Sequence, residues 1–242
     1  MNKNALLYAL GAILLGAVGI WFHDFAMQWQ PVPKGLPGYA PLVYVSAALL
    51  ILGGAAILSG GGQRERYGAL LLASFFGLWV VALHLPNAIA GYRHIGAWNG
   101  PAEFTFATMG GVALFASGAG AMRGTLLRIA RILAGVSCIV FGLAHFNYID
   151  FTASMVPAWI PPNQTFWAWA TGAGHLSAGL ALVSGFQARL AATLEAAMMA
   201  SFVVLLHIPL VVMGPDQHAN WIMLAVASTF TGAAWLVRKY AT

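Results

Sequence analysis

Four histidines, His84, His145, His175 and His207, interrupt long apolar runs of this 242-residue chain. An ionisable side chain among residues that lipid would solvate is costly, so it turns toward protein or marks a site. Imidazole binds haem iron, copper or zinc, and it also hydrogen-bonds a quinone carbonyl. His145, His175 and His207 are therefore candidate cofactor ligands, and metal ligands if a metal or haem is present, with His84 the first-half counterpart of His207. A flat ring, quinone or non-covalent haem b, would lie among Trp167, Trp169, His175 and His207. Asp150, five residues after His145, and Glu103 are candidate catalytic proton relays to the aqueous phase.

Each of these residues also has a plainer use. A neutral histidine inside a bundle can bond a neighbouring helix as structural glue. His84 and His207 each stand two residues before a proline, Pro86 and Pro209. Proline frees a carbonyl in the preceding turn, so the pair reads equally well as a helix-bending device. Glu195 sits near one end of its apolar run, where it is expected to snorkel or to pair with Arg189. On that reading, no charged group other than histidine reaches mid-membrane.

Several chemistries are excluded. One cysteine, Cys138, allows neither an internal disulfide nor a dithiol pair, and it excludes haem attachment through CxxCH. Gly60-Gly61-Gly62-Gln63 lacks the lysine of a phosphate-binding loop, and neither GxGxxG nor HExxH occurs.

The elements that must hold the histidines follow from composition. The chain is 60% hydrophobic and 7% charged, whereas a soluble domain carries about 25% charged residues. Segments 5–23, 41–59, 68–90, 102–121, 127–147, 164–184, 190–213 and 220–237 approach or exceed the roughly 20 apolar residues that cross a bilayer. The sequence thus predicts an all-α integral membrane fold of eight transmembrane helices. The first run reads as a retained helix, since no small-residue cleavage site precedes a soluble region.

Lys3, Arg64, Arg66, Arg123, Arg128, Arg131, Arg189, Arg238 and Lys239 fall on one side of these helices, and Lys34 and Arg93 on the other. Basic loops stay cytoplasmic, so both termini are expected inside, in a bacterial inner membrane. The same reasoning assigns the high pI to topology and leaves no nucleic-acid partner. Trp21, Trp29, Trp98, Trp159, Trp167, Trp169 and Trp221 gather at the opposite ends, as interfacial indoles do.

An internal repeat is visible. Phe22-His23-Asp24-Phe25 corresponds to Tyr148-Ile149-Asp150-Phe151, and Val80-Val81-Ala82-Leu83-His84-Leu85-Pro86 to Val203-Val204-Leu205-Leu206-His207-Ile208-Pro209. The halves, 1–124 and 125–242, are expected to be four-helix units in one orientation, because each contains an even number of spans.

The second half runs through Gly142-Leu143-Ala144-His145-Phe146, Val156-Pro157-Ala158-Trp159-Ile160-Pro161, Gly172-Ala173-Gly174-His175 and Leu206-His207-Ile208-Pro209. In these segments it resembles the DoxX-like membrane family over roughly 127–237, and the first half does so more weakly. Relatives include a membrane subunit of thiosulfate:quinone oxidoreductase. The resemblance implies four-helix units and a quinone- or haem-linked oxidoreductase subunit with its site in the outer half of the second repeat. Copper or another metal is compatible with the same histidines. The expected partners are the lipid bilayer and a redox subunit, and an oligomer is compatible. Two other classes compete: a transporter for a small molecule or ion, and a non-catalytic accessory or scaffold subunit.

Overall fold

A computed structural model of the chain describes residues 2–240. Among them all the regular structure is helical. The elements are α1 (Leu6–Phe22), α2 (Tyr39–Leu58), α3 (Gly62–Trp79), α4 (Leu85–Ala90), α5 (Ile95–Ala116) and α6 (Arg123–Asn147). They continue as α7 (Ile149–Met155), α8 (Gln164–Ser184), α9 (Ala188–Phe202), α10 (Ile208–Met213) and α11 (His218–Tyr240).

Six stretches are long and apolar enough to cross a membrane: Lys3–Phe22, Tyr39–Leu58, Gly62–Ala90, Gly120–Asn147, Ala188–Met213 and His218–Lys239. The remaining two long helices, α5 and α8, have 22 and 21 residues, enough for a span by length. The fourth predicted segment, 102–121, is displaced: α5 begins at Ile95 and ends at Ala116. Apolar windows mark the lipid-solvated core of a helix, and they missed the polar first turns around Trp98, Asn99 and Pro101.

The two His-x-Pro sequences do the same thing to the backbone. Val80–His84 and Val203–His207 are π-helical turns, closed by bonds from the Leu85 N–H to the Val80 carbonyl and from the Ile208 N–H to the Val203 carbonyl. A proline ring crowds the carbonyl four residues before it and offers no N–H. Widening the turn just ahead of Pro86 and Pro209 accommodates both defects. The histidine ends each wide turn and is buried in both cases. Such bulges are frequent at functional sites.

Sequential helices pack as neighbours: α1 on α2, α2 on α3, α3 on α5, then α6 on α8, α8 on α9 and α9 on α11. The two sets meet where α1 packs on α11, α5 on α6 and α5 on α11. Tyr8, fully buried, ties α1 to α5 through a 2.9 Å bond from its hydroxyl to the Ala107 carbonyl. The chain ends share one end of the bundle, since the Trp235 indole N–H bonds Asn4 at 3.1 Å. Asn2 also donates to the buried Glu65 at 2.7 Å. The other end, called distal below, carries exposed Trp21 and Trp159.

Close approach of α6 and α8 brings His145 and His175 together. A Cβ on Gly142 would meet the Gly172 carbonyl at 2.8 Å, and one on Gly179 the Gly135 carbonyl at 2.7 Å. Small residues let membrane helices touch through their backbones. Gly142→Leu should therefore force the pair apart, at a cost of about 1–3 kcal/mol. Cys138 is the single cysteine and is fully buried, so its reaction with a thiol dye reports opening. Dye labelling of the variant should be markedly faster than in wild type. An unchanged rate would mean that α6 and α8 do not rely on this contact.

Candidate functional site

Cys138, Phe141 and His145 stand three and four residues apart on α6 and so occupy one face of it. The His145 Nδ1–H donates to the Phe141 carbonyl at 2.8 Å. A carbonyl can only accept, so in the neutral ring Nε2 is left as an acceptor. His175 on α8 lies beside it, with the ring centroids 4.9 Å apart and the planes tilted by 57°. Phe141 meets His175 edge-on at 5.6 Å, and Phe202 flanks it at 6.2 Å.

His175 is held from the far side by α9. Its Nδ1 lies 2.8 Å from Oε1 of Glu195, and the two side chains are 3% and 0% exposed. At 1.5 Å per residue, Glu195 is about 10 Å from the start of α9 and His175 about 14 Å from the end of α8, similar depths in antiparallel neighbours. A carboxyl group so buried needs a partner. The pair holds one proton between oxygen and nitrogen in either of its neutral-overall forms, imidazolium–carboxylate or imidazole–carboxylic acid. The other carboxyl oxygen, Oε2, has no hydrogen-bond partner. The Cys138 thiol is fully buried on the face of α6 that carries Phe141 and His145.

This arrangement corrects the expectation for Glu195. It neither snorkels nor pairs with Arg189, which is exposed; it turns inward to His175. A charged group other than histidine therefore does reach the interior of the second half.

The other predicted residues are spread out. Nε2–H of His84 donates to the Trp29 carbonyl at 3.0 Å, and the ring stacks on Phe104 at 5.3 Å. That is the structural role, pinning the short turn Met27–Trp29 to the bundle. His207 is buried, and its Nδ1 has no partner. The Trp167 indole N–H donates to the Pro161 carbonyl at 2.8 Å, and Trp169 stacks on Phe146 at 5.2 Å. Both indoles are exposed, at 36% and 51%, so they flank the distal rim and do not enclose His175. Asp150 is exposed in the first turn of α7, while Glu103 on α5 accepts a 2.9 Å bond from Asn99.

A haem held between His145 and His175 fits poorly. One iron held from both faces keeps two ligand nitrogens about 4 Å apart, with each ring centre beyond its nitrogen. The His145 and His175 rings are closer than that allows, and they are tilted on one another. Among the described residues, no group of three His, Cys, Asp or Glu could hold a metal ion.

All members of the cluster, Cys138, His145, His175 and Glu195, fall within residues 126–208, which match the DoxX family model. The chain carries a DoxX domain. The domain spans α6 through the second π turn, and together with the six apolar stretches it makes the chain an integral membrane protein. No curated protein matches the chain, and no solved structure does. The sequence reading missed Cys138 and Glu195 as members of the site. The spacing of Cys138, Phe141 and His145 on one helix face was the available signal for the first of them.

Proposed function

We propose that the chain crosses the membrane eight times as two parallel four-helix units, with both termini cytoplasmic in a bacterial inner membrane. In this reading α5 and α8 complete the set. The pairing of helices supports it, because the contacts among the long helices of one half have counterparts in the other. The pair α1 and α2 answers to α6 and α8, α3 and α5 to α9 and α11, and α1 and α11 to α6 and α5. The paired π turns add a second correspondence.

The DoxX domain then works as a quinone-linked oxidoreductase subunit. The buried His175–Glu195 pair with His145 against it carries this reading. A quinone dissolved in lipid would reach the α6–α8 seam at Phe146 and Trp169. There Nε2 of His145, once protonated, can donate to a carbonyl oxygen. Reducing a quinone to a quinol takes two electrons and two protons. The electrons come from a partner redox subunit, and His175–Glu195 supplies and recovers protons.

The test is binding. Protein purified in mild detergent should retain extractable quinone, and a short-chain quinone should quench its tryptophan fluorescence. His145→Phe should abolish both. A wild-type preparation with no quinone and no quenching overturns the proposal. A proton-coupled carrier is the second reading, favoured by the same interior carboxyl group, which could couple an ion gradient. Proton flux into liposomes without quinone would select it.

A further inference from the structure

The distal end of the first half holds a second candidate site, unrelated to the histidine cluster. A cavity of about 230 Å³ is lined by Asp24, Phe25, Met27, Lys34 and Tyr39 among others. It is smaller than the 300–1,000 Å³ of pockets for drug-sized ligands, so it suits a small group.

Asp24 forms its fixed charge. One carboxylate oxygen, Oδ1, accepts the Phe25 backbone N–H at 2.8 Å and the Tyr39 hydroxyl. The other, Oδ2, meets only the Lys34 ammonium, at a loose 3.9 Å. The Lys34 side chain is 85% exposed and that of Asp24 31%, so the cation stands at the rim and the anion toward the floor. Phe25 and Tyr39 contact edge-to-face at 5.0 Å and add ring faces that attract an ammonium group. Met27 holds a left-handed backbone, φ 48°, which costs energy in a non-glycine residue and is common at binding sites. Behind Asp24 lies a space of about 10 Å³ that reaches His218, whose Nε2 has no partner. One water there would link the two.

We propose that this cavity binds a zwitterionic amine–phosphate group, the ammonium on Asp24 Oδ2 and the phosphate on Lys34. An ammonium enters between Oδ2 and the rings, releasing Lys34 to turn outward to the phosphate. The cavity lies in the segment that follows α1, at the end of the bundle that carries exposed Trp21 and Trp159, which is headgroup depth for a membrane protein. Phosphoethanolamine carries these two charges at this size, either on a lipid or free in solution. The second half has not kept the site, since its matching residue, Asp150, is exposed.

Native mass spectrometry of detergent-purified protein, offered phosphatidylethanolamine or phosphatidylglycerol, tests the assignment. Wild type should retain phosphatidylethanolamine in preference. Asp24→Asn and Lys34→Glu should each lower that retention by about tenfold, the worth of one charge-assisted contact. Slow dye labelling of Cys138 confirms that each variant is folded. Lys34 is exposed and its ammonium pairs with Asp24, so its variant tests the site even if Asp24→Asn misfolds. Soluble phosphoethanolamine, followed by calorimetry, distinguishes the sources. Binding of the soluble group without retention of the lipid supports the same chemistry with a free ligand. Equal retention of both lipids with no binding of phosphoethanolamine overturns the proposal, as do folded variants that behave like wild type.

Discussion

His175→Leu should destabilise the protein by about 3–5 kcal/mol, the cost of leaving a buried charged group without its partner. Glu195 is 1% exposed, and His175 is the one hydrogen-bond partner that meets its carboxyl group at 2.8 Å. Without the imidazole, Oε1 joins Oε2 in having no bond. Glu195→Leu should cost less, about 1–3 kcal/mol, because imidazole can stay neutral and forfeits a single bond. The double variant should be more stable than His175→Leu alone, since two apolar side chains of similar volume can replace a buried pair at little cost. Unfolding of the four proteins in a denaturing-detergent titration measures the cycle, with Cys138 labelling as a second readout. Additive losses would mean that the two side chains do not share a proton. The cycle bears on the pair whatever the ligand is.

The residues that broke a pattern were legible in the sequence, and those whose role depends on helix rotation were not. A histidine before a proline, found twice at the same offset, announced a local backbone event. Both copies proved to be π turns ending in a buried imidazole. Glu195 was legible in depth alone. A carboxyl group two turns into a helix can reach back to the interface or turn to the interior, and the choice is set by the azimuth of α9. The apolar residues of α9 surround it on every side and fix no azimuth. Trp167 and Trp169 failed for a related reason. Their position near a helix end suits both an interfacial belt and a pocket wall, and only packing against Phe146 and Pro161 separated these uses. The distal cavity at Asp24 was hidden because it is assembled by an irregular segment, residues 24–39, whose turns no periodicity describes.

The division of labour within the cluster gives the second large effect. If His145 presents Nε2 to a quinone and His175–Glu195 handles its protons, binding and proton transfer should fail separately. Glu195→Gln keeps the size and an acceptor for the Nδ1–H of His175, so a bound quinone should remain. What the amide lacks is an exchangeable acid proton. Positioned acid–base groups contribute about 10²–10⁴ in rate, so proton uptake on reducing the bound quinone should slow by at least about a hundredfold. His145→Phe should instead abolish binding, leaving no uptake to measure. Stopped-flow mixing with dithionite in weakly buffered solution, followed with a pH-indicator dye, resolves the two. Equal uptake rates in Glu195→Gln and wild type would remove Glu195 from the proton path and leave it a structural partner of His175. Loss of quinone in Glu195→Gln would place the carboxyl group in the binding site itself. The arrangement favours the separation, since the Glu195 carboxyl bonds His175 while His145 bonds the Phe141 carbonyl.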